Sequence, residues 1–153
     1  MIKSAMKTVI SLLFLISFTC SLCAQKADDI LGIWLTQDCK SKIEIQKTPN
    51  GDFEGVITWI KNPTDRNGKA QRDIKNPTPE LQQRPIIGLK ILSGISYNPE
   101  SKEWSDGTIY DPKSGNTYNC YLWFDEDSNK LKVKGTIGFS LIGRKTTWTR
   151  AEA

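Results

Sequence analysis

The feature that most constrains this chain is an alternation of period two between charged and apolar residues. Lys130-Leu131-Lys132-Val133-Lys134 alternates without a break, and Lys42-Ile43-Glu44-Ile45-Gln46 does the same. Successive side chains of a strand leave opposite faces, so such a segment wets one face and buries the other. Residues 32–37, 52–60, 86–92, 103–110, 117–124 and 141–150 carry the same signature less strictly, which makes eight predicted strands. Between them lie turns. Asn50-Gly51 supplies the residues of a tight hairpin, and Asn98-Pro99, 111–115 and 125–129 are further breaks.

One connection differs from the rest. Residues 61–85 hold four prolines, an Asn67-Gly68 turn and mixed charge, with little apolar content. Thr78-Pro79-Glu80-Leu81 within it reads as an N-cap, a proline at the first helical position and a short helix. A structureless stretch of more than ~12–15 residues is usually functional or disordered. Eight short, mostly hairpin-linked strands make an all-β domain. An antiparallel up-and-down barrel would leave no sheet edge exposed. Its interior would be just wide enough to be filled by side chains or to hold one small ligand. A sandwich fits the local pattern equally well.

The first residues read as a targeting segment. Lys3 and Lys7 precede an uncharged run over 9–18, and the small residues Ser21, Cys23 and Ala24 follow. Cleavage is expected between Ala24 and Gln25, with the bond after Cys23 as the alternative, giving an exported, periplasmic or secreted domain over 25–153. The apolar run is ten residues long, whereas a membrane-spanning helix takes roughly 20. No stable membrane insertion is expected. Cys20 and Cys23 lack the leucine and paired small residues that precede a lipid-bearing cysteine.

Composition removes several chemistries. The chain has no histidine, which excludes Ser-His-Asp and Cys-His catalysis and histidine-ligated zinc or haem. No cofactor and no metal site are expected. Asp125-x-Asp127-x-Asn129 resembles the opening of a calcium loop, but Lys130 and Thr136 stand where that loop needs a glycine and a glutamate. It reads as an acidic hairpin turn. Without residues 1–24 the chain keeps 19 basic and 17 acidic residues, a net charge of +2. Their interspersion shows no basic stripe for nucleic acid. Cys39 and Cys120 remain. An oxidising compartment allows a bridge between them, and two separate thiols are the alternative.

Gly32-Ile33-Trp34 at the first strand resembles the Gly-x-Trp of lipocalin-like barrels. That resemblance implies a late-strand arginine stacked on Trp34, with Arg150 the natural candidate and Arg144 the reserve. The chain over 30–150 also resembles the bacterial domain of unknown function 2147. The resemblance rests on Gly32-Ile33-Trp34-Leu35-Thr36, Trp59-Ile60-Lys61-Asn62-Pro63, Arg84-Pro85-Ile86-Ile87-Gly88 and Ile109-Tyr110-Asp111-Pro112 with Gly115. Gly138-Phe139-Ser140-Leu141-Ile142-Gly143-Arg144 with Trp148 and Arg150 completes it. It implies an exported bacterial protein with a small β-barrel and brings no activity with it. Cys39 stands where that family usually has a turn glycine.

Trp34, Trp59 and Trp148 sit beside apolar neighbours and read as core, whereas Trp104 and Trp123 have polar neighbours that suit a mouth or contact surface. Ile43, Ile45, Phe53, Ile57, Leu131, Val133 and Ile137 are the bulky inward candidates. The candidate ligand contacts are Trp59, Arg84, Tyr110, Asp111 and Arg144. Tyr110 and Asp111 would set a phenol and a carboxylate beside a ligand, and Arg84 could grip an anion bidentately. Three functions compete. The first is a non-enzymatic barrel holding a small apolar or amphipathic ligand. The second is an envelope interaction module binding a protein or glycan through its outer surface, which a solidly packed barrel would favour. The third is a carboxylate-based enzyme, for which no acidic pair announces itself.

Overall fold

A computed structural model describes residues 27–138 and 143–152. The expected targeting segment, its expected cleavage point and Leu141-Ile142 lie outside the described residues. The eight strands are β1 (Gly32–Leu35), β2 (Ser41–Lys47), β3 (Phe53–Ile60), β4 (Lys90–Asn98), β5 (Glu103–Asp111), β6 (Asn116–Phe124), β7 (Lys130–Thr136) and β8 (Gly143–Ala151). They close in sequence order into one antiparallel up-and-down barrel. The sandwich alternative is thereby removed. β8 returns to β1 through Ile33↔Ala151, Trp34↔Arg150 and Leu35↔Thr149.

The alternation does the sorting it implies. In β7, Leu131 and Val133 are buried while Lys130, Lys132 and Lys134 alternate with them on the outer face. Ile43, Ile45, Phe53 and Ile57 join them in the core, together with Trp148. Ile137 does not. β7 ends at Thr136, and the isoleucine beyond it is 71% exposed.

Two tryptophans also exchange their expected places. Trp104 is buried at 2% and Trp59 is 40% exposed. The polar neighbours of Trp104, Glu103 and Ser105, are what alternation places beside an inward residue. Around Trp59 the register slips: Ile43 pairs with Ile57 but Lys42 with Trp59, so Thr58 is an extra residue that turns the indole outward.

Two further expectations, the bounds of the fourth strand and the cap at Thr78, are corrected. The fourth strand runs over Lys90–Asn98 rather than 86–92. Ile86 and Leu89 are buried, but their backbone makes a turn in which Leu89 N–H donates to Ile86 O and Gly88 N–H to Ile57 O. The short helix is a single 3₁₀ turn, Pro79–Leu81. Thr78 provides no side-chain cap; instead its N–H donates to Asn76 Oδ1 at 2.9 Å. Cys39 and Cys120 are both free. Cys39 lies exposed in the β1–β2 turn while Cys120 points into the barrel from β6, where burial pushes its thiol pKa up to about 12. Among the described residues no helix is long and apolar enough to cross a membrane.

One end of the barrel is shut by aromatics and a guanidinium. Trp34 is fully buried and donates its indole N–H to Ile30 O at 2.9 Å. Arg150 Cζ lies 4.2 Å from the Trp34 ring centroid. Its Nη1 donates to Leu31 O at 2.9 Å and its Nη2 to Asp29 O at 2.7 Å. Gly32 leaves room for this. It has φ +115°, and a Cβ there would stand 3.3 Å from Arg150 Nη1. Phe124 lies 5.9 Å from Trp34 and 5.3 Å from Trp104, continuing the aromatic floor.

Arg150→Met should lower unfolding free energy by about 2–4 kcal/mol in urea titration, through loss of the stacked cation and its charge-assisted bonds. Arg150→Lys should restore less than half of that, because an ammonium lacks the planar fork that stacks and donates at once. Cys39 has φ +54°, a left-handed conformation costing a residue with a Cβ roughly 1–2 kcal/mol. Cys39→Gly should therefore raise stability by about 0.5–1 kcal/mol in the same titration, the entropy cost of glycine offsetting part of the relief.

Candidate functional site

With strands running alternately up and down, the β1–β2 turn, the connection after β3 and the β5–β6 turn all gather at the end opposite Arg150. The inner rim there can be read from the pairing. Cys120, which faces the core, stands opposite Gly135, and Gly135 stands opposite Arg144. Cross-strand partners share a face, so Arg144 lies on the inner side of the rim, exposed. Ile109 and Tyr118, a facing pair, are half-buried beside it. Below this level the barrel is full. Ile43, Leu92, Cys120 and Val133 are 1% exposed and Leu122 0%, so these side chains line no chamber that would admit water.

The long connection is held down by a carboxylate. Asp73 is completely buried. Its Oδ1 accepts the Tyr110 hydroxyl at 2.6 Å, and its Oδ2 accepts Arg84 Nε and Nη2 at 3.0 and 2.9 Å and Asn76 Nδ2 at 2.8 Å. Burial, and then the neighbouring Asp73 charge and hydrogen bond, raise the Tyr110 pKa above the ordinary phenol value. Two of the sequence-derived candidates, Arg84 and Tyr110, thus meet. They do so through Asp73 and Asn76, which sequence reasoning did not single out. Nothing local marks Asp73, because its phenol partner is 37 residues away in the chain. The connection also lies against the β5–β6 turn. Gly115, at φ +77°, would carry a Cβ only 2.0 Å from Lys75 O.

The remaining candidates stand apart. Asp111 spends its carboxylate on its own turn, accepting Lys113 N–H at 3.0 Å and the Ser114 hydroxyl at 2.9 Å. Trp59 is on the outer face opposite Lys42. Lys113 Nζ reaches Asp38 Oδ2 at 3.0 Å and so ties the β5–β6 turn to the β1–β2 turn. Partial burial works against ionisation of Asp38, but bonds from Lys113, Thr36 and the Lys40 amide outweigh it and bring the pKa down to about 2. The 125–129 turn is occupied by ion pairs, Asp127 with Lys130 and Asp125 with Lys132.

A groove of about 840 Å³ opens along the outer part of the connection, between Lys61 and Gln83. Asn62, Thr64, Gln71 and Gln83 offer amides and a hydroxyl to it, and Ile74, 69% exposed, forms part of its wall. Its size falls within the range of known ligand sites, roughly 300–1,000 Å³. It is open rather than enclosed, with a lining of mixed polarity.

The fold and its packed closure define a lipocalin-like barrel. A solved structure described as "Protein HP1028 from the human pathogen Helicobacter pylori belongs to the lipocalin family" is similar at 25% identity, over 80% of this chain and 83% of that one, with a TM-score of 0.67. A model of the uncharacterized proteins conserved in bacteria, DUF2147, matches residues 32–150. The chain belongs to that family. No curated protein sequence matches it.

Asp73→Ala would strand Arg84 and Tyr110 and should cost about 2–4 kcal/mol, near the lower end for a broken buried pair because Arg84 is partly exposed. Limited proteolysis should then cut within 61–85 faster than in the parent protein, with the barrel's circular dichroism unchanged.

Proposed function

We propose that this protein is an exported, non-enzymatic binding module that meets a protein or glycan of the cell envelope on its outer surface, along the connection 61–85. The observation that carries this reading is the contrast between a barrel filled to 0–3% exposure at its central side chains and an open groove on the pinned connection. Ligand-binding segments are commonly loops positioned by a rigid scaffold, and Asp73 supplies the rigidity here. Export is supported by the basic and apolar pattern before Gln25, and the absence of histidine argues against most hydrolytic chemistry.

A second reading has its own support. Ile109, Tyr118 and Arg144 form a half-apolar rim with one cation, which suits the head of a small amphipathic molecule, and the similar Helicobacter pylori protein is described as a lipocalin. Titrating the ¹⁵N-labelled protein with envelope glycan, protein and lipid fractions distinguishes the two. Shifts concentrated in 61–85 are expected. Shifts confined to Ile109, Tyr118 and Arg144 would favour the small-ligand reading, and a spectrum unmoved by every fraction would overturn both.

A further inference from the structure

We infer that the groove on the connection is a site for an acidic saccharide, a sugar chain bearing carboxylate or phosphate groups. This rests on the reading that the connection is the binding surface and names the chemistry it selects. The primary structure intersperses its charges, but the fold gathers four cations, Lys61, Arg66, Lys69 and Arg72, around one concavity. Asp65 is the lone acid in its lining, so the groove carries four positive charges against one negative, a net +3. The rest of the exported domain, at +2 overall, is close to neutral by difference.

The cations are also uncommitted to carboxylates. Among the described residues, the six ion pairs involve none of these four side chains. Asp65 does not neutralise them by contact. Its Oδ1 accepts the backbone N–H groups of Asn67 and Lys69, at 2.8 and 2.9 Å, and so builds the turn that presents Arg66 and Lys69. Arg72 Nη1 donates to Gln83 O, another residue of the lining, and is held in place by it. Asp73, next in the chain, is already paired with Arg84 beneath the surface and lends the groove no free negative charge.

Three observations favour a saccharide over other polyanions. The charged side chains alternate with Asn62, Thr64, Gln71 and Gln83, whose amides and hydroxyl match sugar hydroxyl groups. No aromatic side chain and no deep apolar pocket lines the groove, so it lacks the anchors on which protein partners depend and the stacking platforms that hold single-stranded nucleic acid. A concave trough also suits a chain better than a flat lipid surface.

Binding would be tested by following amide resonances of the protein during titration with oligogalacturonate (carboxylate) and phosphomannan oligomers (phosphate). Neutral dextran, poly-aspartate and oligothymidylate serve as comparisons. The expected result is that one acidic saccharide shifts residues 61–83, binds more tightly than all three comparisons, and weakens as salt rises. Arg66→Gln with Lys69→Gln, two exposed changes on the turn, should weaken it about tenfold, the sum of two modest charge-assisted contacts. Dextran binding equally well, or tighter binding of poly-aspartate or oligothymidylate, would overturn the saccharide assignment and leave the connection as the binding surface. So would envelope fractions shifting 61–83 while neither acidic saccharide does. Residues 61–83 unmoved by every probe and every fraction would overturn both.

Discussion

The contact on which the barrel depends is the Arg150 guanidinium lying on the Trp34 indole. β1 is only four residues long, and it meets β8 at three paired positions. So short a ladder is a weak seam for a closed sheet, since each backbone hydrogen bond adds roughly 1 kcal/mol net. The arginine strengthens the seam from the side. It stacks on the first strand's tryptophan while its nitrogens reach the carbonyls of Asp29 and Leu31 just before that strand. Closure in turn leaves no free sheet edge for a second chain to pair with.

Closure around this many large side chains also fills the centre of the barrel. Trp34, Trp104, Phe53 and the aliphatics between them use up the interior. The longest segment outside the sheet is the connection between β3 and β4. A connection this long gains little from apolar burial and must still offset roughly 1–2 kcal/mol of backbone entropy per ordered residue. Asp73 answers that with one carboxylate that accepts from three side chains, Tyr110 of β5 and Arg84 and Asn76 of the connection itself. A polar network replaces the hydrophobic face that a strand would have used.

The fold was legible because alternation is a local property. Seven of the eight strands lie close to where their period places them, and the Gly32-Ile33-Trp34 triplet pointed to the end that would be sealed. The exceptions arise where local pattern and register part company. Ile86 and Leu89 are apolar because they are buried, yet they sit in a turn. Trp59 faces outward because one extra residue in the β2–β3 ladder reverses its side. The site was less legible. Arg84 and Tyr110 were visible as residues able to recognise an anion or a polar group, whereas Asp73, which joins them, has no sequence signature. The basic groove was invisible for the same reason: its cations are spaced 3–5 residues apart along an irregular backbone, and only their folding together makes a field of one sign.

The up-and-down path has a directional outcome. Chain enters β1 and leaves β8 at the Arg150 end, while the connection after β3 emerges at the other. Anything fastened to either flank of the domain would therefore grip it by its sealed base. The groove would then point outward from the attachment point, free to sweep the surrounding space without the scaffold standing in its way.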